Sequence, residues 1–226
     1  MHKLERGDAP TCLRHYQHGR DGWSQVSPAD KTAIWRELDD MQGARCAYCE
    51  ADISNPDNKH IEHFQQRRRF PQGTFDWNNL FGSCSREDSC GKHKDRCGAY
   101  TPEDIVKPDV DDPEHFFVFV SDGTIAIRHG LNPQDQQRAR ETLRVFNLNN
   151  QSGPLRYMRQ QAVAGYIQAT KEWSELAVEC DQSEWLPLLK EELAAIAHLP
   201  FATVIKHVLL PYEVVPDSGR TAPEAF

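Results

Sequence analysis

Apolar residues recur at steps of three and four in four stretches of the chain, and each stretch predicts an amphipathic helix. Ile34, Trp35, Leu38 and Met41 follow Ser27-Pro28-Ala29-Asp30. There the serine is placed to cap, the proline fits the first helical position and the aspartate sits in the first turn, while Gly43 closes the run. Asn132-Pro133 opens a second helix with Ala139, Leu143 and Phe146 on one face. From Pro154 to about Cys180, Leu155, Met158, Ala162, Tyr166, Ala169, Trp173 and Leu176 predict one long helix. Trp185, Leu189, Leu193 and Ile196 predict another, stopped near Pro200. A β-hairpin is expected where Phe116–Val120 and Thr124–Ile127 flank Ser121-Asp122-Gly123, an Asp-Gly turn.

Residues 44–98 carry little periodicity and are rich in Cys, His, Gly and Asn. Such a segment buries little apolar surface, so something other than a hydrophobic core must order it. The expected architecture is α+β: a mainly helical body with an inserted metal-ordered module and a hairpin. The divisions are an N-terminal arm and helix (1–43), the module (44–98), a hairpin and helical region (99–210) and a loosely ordered tail (211–226).

Composition narrows the function classes. With 226 residues, 38% apolar and 27% charged, the chain has an ordinary soluble balance. It has no run of the roughly 18 apolar residues that a membrane span needs. Its first residues lack the apolar core of a signal peptide, so the expected location is cytoplasmic, with no membrane partner. The net charge of −8 argues against a protein that binds nucleic acid by phosphate neutralisation alone. Lys59 to Gly98 nevertheless holds eight basic and five acidic residues, a local +3 that overlaps the cysteine cluster.

Of seven cysteines, Cys12 and Cys180 stand apart, while Cys46, Cys49, Cys84, Cys90 and Cys97 fall within 52 residues. In a reducing compartment such clustering favours a metal over disulfides. Cys46-Ala47-Tyr48-Cys49 is a C-x2-C knuckle, and Cys84 with Cys90 makes a second pair. Four thiolates suit tetrahedral zinc, with Cys97 the substitute if Cys84 or Cys90 does not serve.

Between and just after these pairs come Lys59-His60-Ile61-Glu62-His63-Phe64, Asp76-Trp77-Asn78-Asn79-Leu80 and Cys90-Gly91-Lys92-His93-Lys94. His63, Asn79 and His93 thus follow one another at 16 and 14 residues, interleaved with the thiols. This pattern resembles the HNH endonucleases of the ββα-metal (His-Me finger) fold, in the zinc-knuckle variety. Met1-His2-Lys3-Leu4-Glu5-Arg6, Pro10, Arg45 to Glu50, Ile61 to Phe64, Asp76 to Leu80 and Cys90-Gly91 are similar, more narrowly, to the PtuB family. These are the HNH effectors of Septu-type and retron-associated anti-phage defence. The five-residue gap between Cys84 and Cys90 is wider than the usual pair spacing.

The resemblance implies a metal-dependent endonuclease that hydrolyses phosphodiester bonds of DNA or RNA. In it His63 is the general base, Glu62 and His93 ligate a catalytic Mg2+ or Mn2+, and Asn79 orders the loop and orients the base. Cys46, Cys49, Cys84 and Cys90 hold a structural Zn2+. Arg67, Arg68, Arg69, Lys92 and Lys94 are candidates to meet phosphates. Glu62 and His63 are neighbours, so on a regular strand they face opposite ways and share a site only if the strand ends or bends. Asn78 is the alternative to Asn79, His60 is read as supporting or inert, and Trp77 as core packing. The implied partners are nucleic acid and a PtuA-type ATPase, with a reverse transcriptase and its RNA–DNA hybrid (msDNA) in retron systems. An acidic nuclease with a small basic island is expected to bind nucleic acid weakly alone and to gain affinity on its ATPase. The competing reading is a non-catalytic zinc-knuckle adaptor, for which Glu62-His63, Asn79 and His93 have no use.

Overall fold

The computed structural model describes residues 1–210; the tail expectation for 211–226 lies outside them. The fold is α+β, with two small antiparallel sheets. The chain divides into two compact units, Met1–Pro113 with Glu141–Leu148, and Glu114–Arg140 with the chain from Asn149 onward.

In the first unit, helix α1 spans Pro28–Gln42. It begins as the sequence predicts: the Ser27 hydroxyl accepts from the Asp30 amide at 3.1 Å, and Gly43 ends it in the left-handed region at φ 61°. Its apolar face buries Ile34 and Leu38 against Cys12, Leu13, Val26, Trp77 and Leu80. Each fully buried Leu or Ile of that cluster contributes about 1.5–3 kcal/mol. Strands β1 (Lys59–His63) and β2 (Leu80–Cys84) pair antiparallel, with His63 opposite Leu80 and Lys59 opposite Cys84. The short helix α2 (Cys90–Lys94) follows, completing a strand–strand–helix unit. The N-terminal residues are built into this unit: Leu4 donates its amide to the Pro108 carbonyl at 2.8 Å. Arg6 pairs with Asp109 at 2.6 Å and donates to the Trp77 carbonyl at 2.7 Å. The Trp77 indole in turn donates to Gly7 O at 2.9 Å, so Trp77 is core packing as expected.

In the second unit, the one-turn helix α3 (Pro113–Phe116) leads into the predicted hairpin, β3 (Phe117–Phe119) and β4 (Ile125–Ile127). Its turn requires glycine. Gly123 sits at φ 81°, and a Cβ there would lie 2.9 Å from the Arg156 carbonyl carbon. Helix α4 (Pro133–Phe146) begins in this unit, at the predicted Asn132, whose side-chain oxygen accepts from the Asp135 amide at 2.9 Å, and its residues from Glu141 belong to the first.

The single long helix expected from Pro154 to Cys180 is two, α5 (Pro154–Ala164) and α6 (Ile167–Glu179). They break at Gly165-Tyr166, where the Tyr166 amide turns back to Val163 O. Periodicity runs through the break unchanged, whereas glycine's low helix propensity marks it. Helix α7 (Gln182–Ile196) matches expectation. Helix α8 (Ala202–Leu209) does not appear in the apolar pattern, because seven of its eight residues are buried and it has no polar face to set a period.

Helix α8 is tied to α3 and the hairpin by charge. Glu114 accepts from Lys206 Nζ at 2.9 Å and lies 3.1 Å from His207 Nε2, while His207 Nδ1 accepts from the Phe119 amide at 3.0 Å. Burial alone would raise the Glu114 pKa, but hydrogen bonds from His207 and Lys206 lower it from 4.5 to about 2. A depressed carboxylate stabilises the fold above its unfolded pKa and loses that contribution as pH falls toward the folded one. In urea unfolding followed across pH, Glu114→Gln should cost about 1–2 kcal/mol at pH 7, after discounting for its partial exposure. The gap from wild type should close between pH 4.5 and 2.

Candidate metal centre and active site

The metal centre grows out of the end of α1. The Gln42 side chain, buried behind β2, donates to the carbonyls of Arg45 and Gly82 at 2.7 and 2.9 Å and accepts from the Gly82 amide at 2.7 Å. One glutamine thus satisfies β2 as a neighbouring strand would. Gly82 must be glycine, since a Cβ would come within 2.9 Å of the Trp35 ring.

The knuckle is then closed by backbone bonds from Cys46 to Ala51, Ala47 to Gly82 and Glu50 to Cys46. Glu50 is left-handed at φ 63°. Its buried carboxylate pairs with the Met1 ammonium and lies 3.8 Å from His2. Burial would raise the Glu50 pKa, and the Met1 ammonium and His2 outweigh it, holding the carboxyl well below the usual range.

Cys46, Cys49, Cys84 and Cys90 are all buried, and their sulfurs lie within 4.8 Å of one another. Cys49 and Cys84 sulfurs are 3.9 Å apart, close to the roughly 3.8 Å that tetrahedral Zn–S bonds of about 2.3 Å impose. Cys90 adopts φ 54°, turning its thiol inward at the start of α2. Burial would raise the Cys46 thiol, but hydrogen bonds with Cys49, Cys84 and Cys90 take it well below its ordinary value. The donor set and spacing fit zinc. Cys97 is outside the cluster, its thiol 3.3 Å from the Lys94 carbonyl.

The predicted base lies at the other end of the β1–β2 pairing, with His63 opposite Leu80 where Cys84 is opposite Lys59. His63 is 5% exposed and closes β1. Its Nε2 is 3.0 Å from the Thr74 carbonyl. A carbonyl only accepts, so Nε2 carries the proton and Nδ1 keeps its lone pair. Trp23 packs edge-on to the imidazole at 4.5 Å. Burial lowers the His63 pKa from 6.5 to about 4, with Arg67 and Lys94 pushing the same way against Asp95. The ring is therefore neutral at pH 7.

Asn79 fastens the loop that holds it. The Asn79 side chain accepts from the Gln65 amide at 2.6 Å and donates to Gly73 O at 2.9 Å, next to the carbonyl that His63 meets. Asn78 is exposed and bonds only within its own turn, to Asp76.

Glu62 faces the other way from His63. It is 2% exposed, with Oε1 2.7 Å from Lys94 Nζ and Oε2 3.1 Å from His60 Nε2. Burial raises the Glu62 pKa, but the His60 hydrogen bond and the Lys94 charge outweigh it, so the group is a carboxylate at neutral pH. Gly91 opens the space it occupies, since a Cβ there would lie 2.6 Å from the Glu62 carboxyl carbon. His93 Nδ1 is 2.9 Å from the Val145 carbonyl, which leaves Nε2 as its lone-pair nitrogen.

Among the described residues, the four cysteines are the one group of three or more donors that converge. Glu62, His63 and His93 do not form a second one. The chemistry of a divalent-ion site is present in part: Glu62 Oε1 and His60 Nδ1 are buried without a well-formed hydrogen bond.

Of the expected phosphate contacts, Arg67, Arg68 and Arg69 are exposed. Lys92 is 42% exposed and 3.7 Å from Glu87. Lys94 needs correction: its side chain is fully buried between Glu62 and Asp95, so it presents no surface charge. Sequence reasoning missed Trp23 and the role of Gly91, whereas His60, expected as supporting or inert, does meet Glu62, as the i, i+2 spacing on a strand allows.

Cys49→Ser should lower zinc content from about one ion per chain to near zero by elemental analysis. Because the binding free energy of a structural zinc is folding free energy, of the order of 10 kcal/mol, amide protection should be lost across the first unit and kept in the second. Gly91→Ala should destabilise the zinc-loaded protein by about 1–3 kcal/mol through overpacking on Glu62, read by denaturant titration.

No protein-family model matches the chain. A Septu protein PtuB of Bacillus thuringiensis is similar to it, 28% identical over 115 residues. The matched region is 50% of this chain and 40% of that relative, so the likeness reaches less than half of the relative's length.

Proposed function

We propose that the protein is a metal-dependent endonuclease of the HNH type, the nuclease component of an anti-phage system in which it works with a PtuA-type ATPase. The observation that carries this reading is His63: a buried, neutral imidazole with Nε2–H committed to the Thr74 carbonyl and Nδ1 left to accept a proton. At pH 7 such a ring is unprotonated and has a nitrogen lone pair to take a proton, as the role of general base requires. Asn79 keeps the carbonyl-bearing loop in place, and so acts on the base through Gly73 and Thr74.

Arg67, Arg68 and Arg69, exposed beyond the same strand, supply charge for phosphates, with Lys92 near α2. On this reading Glu62 and His93 would hold Mg2+ or Mn2+, an ion that would neutralise charge building on the phosphoryl oxygens; among the described residues they form no converging donor group, and Lys94 sits on Glu62. The four cysteines would carry zinc with no part in the chemistry, as a closed tetrahedral set does. The likeness to a Septu protein PtuB supports the partner assignment. So does the charge: a chain at −8 needs a larger platform to reach a polyanion.

A zinc-knuckle adaptor without activity is the competing reading, and Lys94 neutralising Glu62 is the feature that favours it. His63→Ala separates the two. Zinc content should stay as in wild type and the melting temperature fall modestly for the lost packing, while cleavage of plasmid DNA or structured RNA, assayed with the ATPase and Mg2+ well below that melting temperature, falls by about 10²–10⁴-fold. Unchanged cleavage would remove the base.

A further inference from the structure

Three half-buried aromatic rings form a row that ends on the predicted base. Tyr16 stacks on Phe75 at 5.4 Å and 21°, Phe75 lies 6.2 Å from Trp23 at 33°, and Trp23 meets the His63 imidazole edge-on at 4.5 Å. Arg67 is exposed, and its guanidinium lies over the Trp23 ring, 6.0 Å from the centroid. We propose that Trp23 and Arg67 form a slot for one unpaired nucleobase beside the phosphodiester that His63 addresses, so that the substrate class is single-stranded or locally unpaired nucleic acid. The inference rests on reading His63 as the base of a nuclease.

Spacing and rigidity support it. A planar base held between two planar groups needs about 3.5 Å on each face, or about 7 Å in all. The 6.0 Å between guanidinium and ring falls about 1 Å short of that, which a long exposed arginine supplies by a small swing of its side chain. The ring itself is held. Trp23 opens a single 3-10 turn, Trp23–Gln25, and packs with Tyr16 and Phe75 on the apolar cluster that contains Leu13, Val26 and Ile34. Tyr16 Oη donates to Asp30 Oδ2 at 2.6 Å, which fixes the far end of the row. A ring already immobilised loses little further freedom when a base stacks on it.

Charge points the same way. A chain at −8 gains little from phosphate neutralisation, whereas stacking draws on the face of the base and needs no net positive charge on the protein. An aromatic ring on one side and a guanidinium on the other accept any base, so the slot reads pairing state rather than sequence. Within a duplex both faces of a base are covered by its neighbours, and only an unpaired or extruded base reaches the slot.

The test uses the full zinc-loaded chain in low salt with no added divalent cation, and labelled probes of about twelve nucleotides read by fluorescence anisotropy. The probes are oligothymidylate, the same backbone with every base removed, a blunt duplex and oligouridylate. Oligothymidylate should bind about tenfold or more tighter than its abasic form, since the two share their phosphates and differ only in bases. Trp23→Leu should bring that ratio to about one, Trp23→Tyr should keep most of it, and duplex binding should respond to neither. Arg67→Ala should lower the ratio several-fold. Whichever of oligothymidylate and oligouridylate binds tighter assigns the slot to DNA or to RNA. Zinc content and circular dichroism report folding. If Trp23→Leu does not fold, the wild-type chain still decides: a probe carrying iodouracil should photocrosslink to the peptide that holds Trp23, and a crosslink elsewhere overturns the slot. A wild-type ratio near one, or a folded Trp23→Leu that keeps the ratio, overturns it too. The nuclease reading fails separately. His63→Ala should keep most of the ratio, and if it leaves cleavage unchanged as well, the base is lost while the slot stands.

Discussion

Four thiols drawn to within a metal's reach are the constraint on which the first unit depends. They join the knuckle after α1 to the end of β2 and the first residue of α2. The β1–β2 pairing is only five residues long on each side, and α2 is five residues. Elements so short are marginal by themselves. Pinning their ends removes the chain entropy that would otherwise favour an open loop, and lets a few specific contacts decide the rest. Gln42 bonded along Gly82 and Tyr48 stacked on Phe146 at 4.0 Å are two such contacts.

Around that anchor, strand geometry assigns the two neighbouring residues to separate tasks. Glu62 turns toward α2 and is met by cations; His63 turns toward Trp23 and the Thr74 carbonyl. Burial acts on both and with opposite outcomes. For Glu62 the desolvation cost is outweighed by Lys94 and His60, which keep the charge. For His63 no anion of comparable strength is adjacent, so desolvation prevails and the ring stays neutral. The anion and the neutral imidazole, though adjacent in sequence, thus face different surroundings.

The second unit has no part in this chemistry on the present reading. It is a hairpin and helices joined by Glu114 to α8 and by Arg159, whose guanidinium donates to Gly123 O at 2.6 Å across the turn. Tyr157, Val178 and Leu188 are exposed, so its surface retains apolar area.

The sequence alone determined α1 with both its caps, the hairpin at Asp122-Gly123, the α4 start and the four-cysteine set, because each rests on local stereochemistry or on a spacing that thiol coordination demands. Periodicity, blind to one glycine, merged α5 and α6. It also passed over α8, whose buried residues leave no polar face to reveal a helix. Of the two asparagines, Asn79 is the buried one and fastens the loop, while Asn78 is exposed. What no linear pattern decided was the fate of charges. Lys94 reads as a surface cation beside Lys92, yet a helix of one turn rotates it inward to Glu62. Only tertiary packing sets which side chains lose their water, and desolvation, not residue type, governs whether a lysine meets a phosphate or a carboxylate.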